Sequence, residues 1–462
     1  MHDSRSSYLS EDTVAAISSG LGGAIAVIRL SGANSLSILE KISGKKPEFR
    51  KITRAQLRAG GRILDDAMVV FFPKPETYTG EDLVELYVHG GSFVAAEVLK
   101  ALVDSGARQA LPGEFSFRAV RNGKMNLTQA RAVADLISAT NSGAASNALE
   151  KMSGAESRIL QKVADELRQV GSLGEIGIDF ADQDVDEVSL ENLRKKLPPL
   201  VEELEKLSAT FSRGQKIQEG VRAVFVGLPN AGKSSFFNAL LGEDRSIVSE
   251  VAGTTRDIVR EKLTLQGSGA SVTLRLEDTA GLRDSQDQIE KMGVSRTEKA
   301  AKEADLIILL ADVTGSIPAL KAQWQRLSCS GEKVIGVLTK VDLADSQLKQ
   351  RMLSDLKALG ISTWFETSAV QGTGISEAAR GIADFCGNWV FRQPGEVVLT
   401  RYEEFQAVTE AVAHLKRGLG APQIDLFAAD LRQAFYALAP LIGATLPDDI
   451  LGRIFSQFCI GK

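Results

Sequence analysis

At 462 residues the chain is too long for one ordinary hydrophobic core, so about two to four domains are expected. Its 44% hydrophobic and 24% charged residues suit a soluble globular protein, and a net charge of −5 requires any bound nucleic acid to meet a local basic patch. No run of about 18 apolar residues occurs, and Met1-His2-Asp3-Ser4-Arg5 lacks a signal core, so a cytoplasmic protein without a membrane anchor is expected.

Residues 1–122 alternate strand-like runs (Thr13–Ile17, Ala24–Leu30, Ala67–Phe72, Leu83–Val88) with helical stretches such as Ser92–Ser105, punctuated by glycine and proline. This texture predicts an α/β domain. From 123 to 216 the chain turns to long Ala/Leu/Glu/Lys-rich segments at helical period, broken near Ile178–Val188 by a turn rich in aspartate. Strands and helices alternate again over 217–384, as in a doubly wound sheet. Helical texture returns over 385–462, in Tyr402–Arg417, Phe427–Leu438 and Pro447–Phe458. Two separate helical stubs would each have a marginal core, so the economical reading is one helical domain interrupted by the 217–384 domain. The expected fold class is therefore multidomain α/β plus all-α.

Four motifs follow one another between residues 227 and 342. Gly227-Leu-Pro-Asn-Ala-Gly-Lys-Ser234 is a GxxxxGK[ST] loop after the apolar run Val221–Val226. Its backbone N–H groups can cradle phosphates, Lys233 can reach the β- and γ-oxygens, and the Ser234 hydroxyl can ligate Mg²⁺. In Gly253-Thr-Thr-Arg-Asp257 a threonine, taken as Thr255, can complete the magnesium shell while the γ-phosphate is present. After the strand-like Thr273–Leu276, Asp278-Thr279-Ala280-Gly281 supplies a carboxylate for water-mediated metal contact and a glycine N–H for the γ-phosphate. The apolar run Val334–Leu338 then delivers Thr339-Lys340-Val341-Asp342, whose carboxylate can accept from guanine N1 and N2. Adenine offers no such pair of donors. The usual asparagine of this motif is Thr339, so the brace on the phosphate loop, and with it affinity, is expected to weaken while guanine selectivity stays with Asp342. Ser368-Ala369 is a two-residue match to a backbone contact for the guanine carbonyl oxygen.

Nucleotide contacts are thus expected at Asn230, Ala231, Gly232, Lys233, Ser234 and Ser235, at Ser249, Glu250, Val251, Ala252, Gly253, Thr254 and Thr255, and at 278–281, 339–342 and 368–369. For hydrolysis, the position where Ras-type enzymes carry a water-orienting glutamine is Leu282, so a polar group must come from elsewhere. Asp284, Asp287 and Glu290 follow it, and Glu290 is preferred as the catalytic acid. The side-chain oxygen of Asn230 can help ligate a monovalent cation that replaces an arginine finger. Cys329, Cys386, Cys459 and the three histidines are scattered without metal-ligand spacing, which supports neither a disulfide framework nor a zinc site.

These motifs, with Tyr78-Thr-Gly-Glu-Asp82, His89-Gly-Gly91, Pro112-Gly-Glu-Phe-Ser116, Leu127-Thr-Gln-Ala130 and the terminal Phe458-Cys-Ile-Gly-Lys462, closely resemble the MnmE (TrmE) family of tRNA modification GTPases over essentially the whole chain. The resemblance implies a homodimer whose N-terminal α/β domains bind 5,10-methylene- or 5-formyl-tetrahydrofolate. It also implies a Ras-like P-loop GTPase domain inserted in a helical one. By position Arg29, Glu85, Lys124 and Lys462 correspond to folate contacts, and Asn230, Ser249, Val251 and Thr254 to potassium ligands. Glu290 falls at the water-orienting acid of a site assembled when the GTPase domains pair. The family task it implies is adding an aminomethyl or carboxymethylaminomethyl group to carbon 5 of the wobble uridine of certain tRNAs. That chemistry is shared with a flavoprotein partner, MnmG (GidA), which supplies FAD and uses NADH. Cys459 is an additional candidate, and Arg118, Arg121 and Arg131 are candidate tRNA contacts. The chain departs from the family in its loop Ser18-Ser-Gly-Leu-Gly-Gly23, where an arginine is usual. The competing reading is a ribosome-assembly GTPase bound to rRNA, but no basic tail or KH-type GxxG module is evident.

Overall fold

The computed structural model describes Tyr8 and residues 11–179, 189–243, 261–276, 299–327, 331–442, 448–456 and 458–461. Compactness divides the chain into one unit of Met1–Ala134, Lys151–Lys196 and Ala413–Lys462 and a second of Asp135–Glu150 and Leu197–Val412.

In the first unit a six-stranded sheet runs in the order β3-β4-β5-β2-β1-β6. Its strands are β1 (Val14–Ile17), β2 (Ile25–Ser31), β3 (Thr53–Ala59), β4 (Arg62–Phe72), β5 (Leu83–His89) and β6 (Arg108–Gln109). All pairings are antiparallel except β1 with β6. Period-two alternation sends Ala26, Ile28 and Leu30 of β2 and Val84, Leu86 and Val88 of β5 into one core with the helices Ser35–Ser43 and Ser92–Asp104. Arg29, Glu85 and Tyr87 therefore stand on the opposite face. β3 was not read from sequence because only Ala55 and Leu57 of its seven residues are buried.

A buried ion cluster fixes the next helix, Glu114–Arg121. The Glu114 side chain has no solvent exposure, and Arg118 is 2% exposed. Arg118 lies 2.9 Å from Glu114, 3.0 Å from Glu81 and 3.0 Å from Asp12, while Arg108 reaches Asp12 and Glu114, each at 2.6 Å. Burial works against the Arg118 charge, but Glu81 and Glu114 outweigh it and hold its pKa above the ordinary value. Arg118 is thus a structural cation, and its candidacy as a tRNA contact is corrected.

The same helix carries the docking point of the C-terminal segment. The expected helix Pro447–Phe458 is found as Asp448–Phe455. Beyond it the chain turns to form an antiparallel bridge between Ile460 and Pro112, and Gly113 N–H donates to Cys459 O at 3.1 Å. Phe455 packs edge-on against Phe117 at 5.8 Å, and Tyr8 packs tilted against the same ring at 5.2 Å. A Cβ on Gly461 would lie 2.2 Å from Ile17 O, so only glycine fits the close approach. Elsewhere in the unit the helix Ala155–Asp179 packs along Ile424–Ile442, with Gly174 against Ala428 and Arg168 4.6 Å over the Phe435 ring. Sequence-distant helices thus share one bundle.

The second unit holds a sheet ordered β12-β11-β10-β7-β9-β8. It comprises β7 (Val221–Val226), β8 (Glu261–Gln266), β9 (Ser271–Leu276), β10 (Leu306–Asp312), β11 (Val334–Thr339) and β12 (Trp364–Glu366). Only β8 and β9 pair antiparallel. Alternate residues of the apolar central strands feed cores on both faces. Leu306, Ile308 and Leu310 join the helices Lys233–Glu243 and Ile375–Val390, whereas Ile307 and Leu309 join Ile317–Leu327 and Ser346–Lys357. The helix Ile375–Val390 runs through the expected boundary at residue 384, because Cys386 continues its buried face.

Replacing Arg118 by alanine would leave the buried Glu114 carboxylate with Arg108 alone as its cation and would strip Glu81 of its buried partner. It is expected to remove about 3–5 kcal/mol from the first unit, read as a lowered midpoint in urea denaturation.

Candidate nucleotide-binding site

The phosphate loop leaves β7 at Gly227, where a Cβ would sit 2.5 Å from Leu310 O. Asn230 (φ +62°) and Gly232 (φ +81°) take left-handed conformations that curl the loop before the helix Lys233–Glu243 begins. The first N–H groups of that helix are unpaired within it and, together with the helix dipole, favour an anion. Lys233 Nζ donates to Gly227 O and Leu228 O, both at 3.0 Å, so the ammonium lies across the mouth of the loop. Burial pushes its pKa down, and a phosphate there would supply the missing counter-charge. Asn230 and Ser235 are exposed, Ser234 is half-buried and Ala231 is buried.

At the base end, β11 delivers Thr339 and then Lys340, whose φ of +56° makes the turn into Val341–Leu343. Lys340 Nζ donates to Asp312 Oδ2 at 2.6 Å, while Thr314 N–H and Oγ1 donate to Asp312 Oδ1. Burial alone would raise the Asp312 pKa, but the hydrogen bonds from Lys340 and Thr314 outweigh it and hold the carboxyl below its usual range. Asp342 is exposed, its carboxylate open to a ligand. Val341 N–H donates to Thr367 O at 3.2 Å, and Ser368 N–H to Thr373 O at 2.9 Å. These bonds tie the Asp342 turn to the segment that carries the buried Ser368 and half-buried Ala369. The 230–235, 339–342 and 368–369 groups thus all follow the carboxyl ends of parallel strands, where doubly wound sheets bind ligands.

Thr339 retains a brace on the phosphate loop, the contact that the sequence expects to weaken. Its Oγ1 donates to Ala231 O at 2.8 Å, so a hydroxyl ties the phosphate loop to the base motif. Of the remaining expected residues, Ser249, Glu250, Val251, Ala252, Gly253, Thr254, Thr255, Asp278, Thr279, Ala280, Gly281, Glu290 and Lys462 lie outside the described residues.

A second polar site lies on the open face of the N-terminal sheet. Arg29 and Glu85 are directly opposite across β2 and β5, and their side chains meet at 2.7 Å with 18% and 15% exposure. Tyr87 OH donates to the other Glu85 oxygen at 2.8 Å. The Arg29 guanidinium stands 5.5 Å from the Tyr78 ring and 5.8 Å from Phe115. Lys124 is exposed, and its stem packs beside Gly80, two residues after Tyr78. Arg29 and Lys124 therefore border the same 78–82 loop. Exposed Cys459 accepts from Gly113, two residues before Phe115. Tyr87, Tyr78 and Phe115 were not singled out from sequence. Tyr87 follows Glu85 by two, the strand spacing that puts both on one face, and that signal could have found it.

Among the described residues, no group of three or more His, Cys, Asp and Glu could hold a metal ion, and no helix is long and apolar enough to cross a membrane. A doubly wound sheet with a phosphate loop and a guanine-type aspartate defines a P-loop GTPase. Residues 13–124 match the family model described as the GTP-binding protein TrmE N-terminus, and residues 127–459 that of the MnmE helical domain. The tRNA modification GTPase MnmE of Coxiella burnetii is 35% identical over 464 residues, covering 98% of this chain and 100% of that protein. That of Dichelobacter nodosus is 37% identical over 470 residues, with 98% and 100% coverage. Among solved structures, Era bound to MgGDPNP and a 16S ribosomal RNA fragment aligns with 36% of this chain and 56% of its own, at 26% identity and a TM-score of 0.28. The chain belongs to the MnmE family of tRNA modification GTPases and is a GTP-hydrolysing enzyme.

Cys386 has no solvent exposure, and burial with Asp305 nearby pushes its thiol up to about 12. At pH 8 only roughly one molecule in ten thousand carries its thiolate. In a Cys329→Ser background, iodoacetamide at pH 8 is expected to alkylate Cys459 and to spare Cys386 until the protein is unfolded, as read by peptide mass spectrometry.

Proposed function

We propose that this chain couples GTP hydrolysis to one-carbon modification of carbon 5 of the tRNA wobble uridine. GTP would be held by the phosphate loop, its base by Asp342 and the Ser368–Ala369 backbone, with Mg²⁺ on Ser234 and Thr255. A potassium ion on Asn230, Ser249, Val251 and Thr254 would supply the charge that an arginine finger gives elsewhere, and Glu290 would orient the attacking water. Pairing of the GTPase domains of a homodimer would complete that site.

Tetrahydrofolate would lie on the N-terminal sheet, where it supplies the carbon unit. The observation that most supports this reading is the Arg29–Glu85 pair, half-buried among Tyr78, Tyr87 and Phe115. Arginine and Lys124 suit a glutamyl carboxylate, Glu85 suits pterin N–H donors, and aromatic rings suit a planar heterocycle. Lys462 would add a further cation, and the chain before it is drawn toward this sheet by the Pro112–Ile460 bridge. Cys459 on that segment is a candidate participant. The flavoprotein partner MnmG would provide FAD and NADH-dependent reduction, and the reaction would take place in the cytoplasm.

GTP turnover is expected to rise strongly in potassium relative to sodium, and Asn230→Ala and Glu290→Ala to abolish the gain; cation-independent turnover would refute the potassium mechanism. Glu85→Ala should lose tetrahydrofolate binding by at least about tenfold while leaving GTP turnover intact. Wobble uridines that stay normally modified in cells lacking the protein would overturn the tRNA assignment.

A further inference from the structure

Guanine presents two edges to a protein. The Watson–Crick edge offers N–H donors, for which Asp342 is an acceptor, whereas the other edge offers only the acceptors N7 and O6. Reading N7 therefore takes a donor, and the base motif begins with Thr339, whose side chain has one proton to give.

That proton is already committed. Thr339 Oγ1 has two carbonyl neighbours, Ala231 O at 2.8 Å and Ala311 O at 3.2 Å, and neither can donate back. The shorter contact is to the phosphate loop. Thr339 is 4% exposed and lies beneath Gly232, where a Cβ would be 3.6 Å from both Thr339 Cβ and Oγ1. Lys340, the next donor, is drawn to Asp312. An asparagine amide at this place would carry two protons, one for the loop and one for N7.

We infer that Thr339 is a positioning residue that holds the phosphate loop through Ala231 and leaves guanine N7 unread. The site then accepts purine nucleotides altered at N7 as readily as GTP. This rests on the reading of Asp342 as the guanine acceptor.

The test is competition binding to the full-length protein with GTP and 7-deaza-GTP. Wild type is expected to bind the two within about twofold, and Thr339→Asn to prefer GTP by about three- to tenfold. Thr339→Ser should match wild type, and Thr339→Val should weaken both nucleotides together, leaving their ratio unchanged. A wild-type preference for GTP of tenfold or more would overturn the inference, as would a Thr339→Val protein that binds both nucleotides as tightly as wild type. Asp342→Asn separately tests the underlying reading: it should bind xanthosine triphosphate in place of GTP, and its failure to do so would bring down the base site itself. The ratio of two nearly identical ligands does not depend on the fraction of protein folded.

Discussion

A carboxylate shut away from water is the constraint around which the N-terminal unit is arranged. Glu114 is accommodated in the interior because Arg108 and Arg118 flank it and Leu111 N–H donates to it. Those two arginines also take Asp12, just before β1, and Arg118 takes Glu81, just before β5. Three separated segments are thereby drawn to one helix. That helix in turn places Phe115 beside Arg29, and Phe117 and the turn at Gly113 beneath the C-terminal segment. The Arg29–Glu85 pair on the sheet thus owes its Phe115 neighbour to a charge cluster that holds the helix in place.

The second unit solves a different problem. Parallel strands all end at one edge, and loops from separate strands must be held in common register there. Three links do this: Thr339 to Ala231, Lys340 to Asp312, and Val341 to Thr367. Each joins the turn after β11 to a neighbouring segment. A change at any one loop therefore bears on both the phosphate and the base ends of the site.

Motif chemistry was legible in the sequence wherever it depends on local order. The phosphate loop, the β11 turn and the alternating strands β2 and β5 follow from spacing alone. What was not legible is partnership across the chain. Thr339 was visible as a departure from asparagine, yet that its hydroxyl reaches Ala231, 108 residues away, needed coordinates. Arg118 looked like a surface cation because sequence does not reveal that Asp12 and Glu81, from distant segments, join Glu114 of its own helix around it. β3 was missed since its seven residues bury only two apolar side chains, and a strand that leans on β4 needs few of its own.

The contact between Phe117 and Phe455 has a consequence for how the protein is made. The two rings are separated by more than three hundred residues of chain. At about 5–20 residues per second, a ribosome needs roughly 15–70 s to pass from one to the other. For most of that interval the Tyr8, Phe117 and Leu127 cluster is outside the exit tunnel and still lacks Leu451 and Phe455. Translation therefore leaves an apolar patch on that domain uncovered until Leu451 and Phe455 emerge.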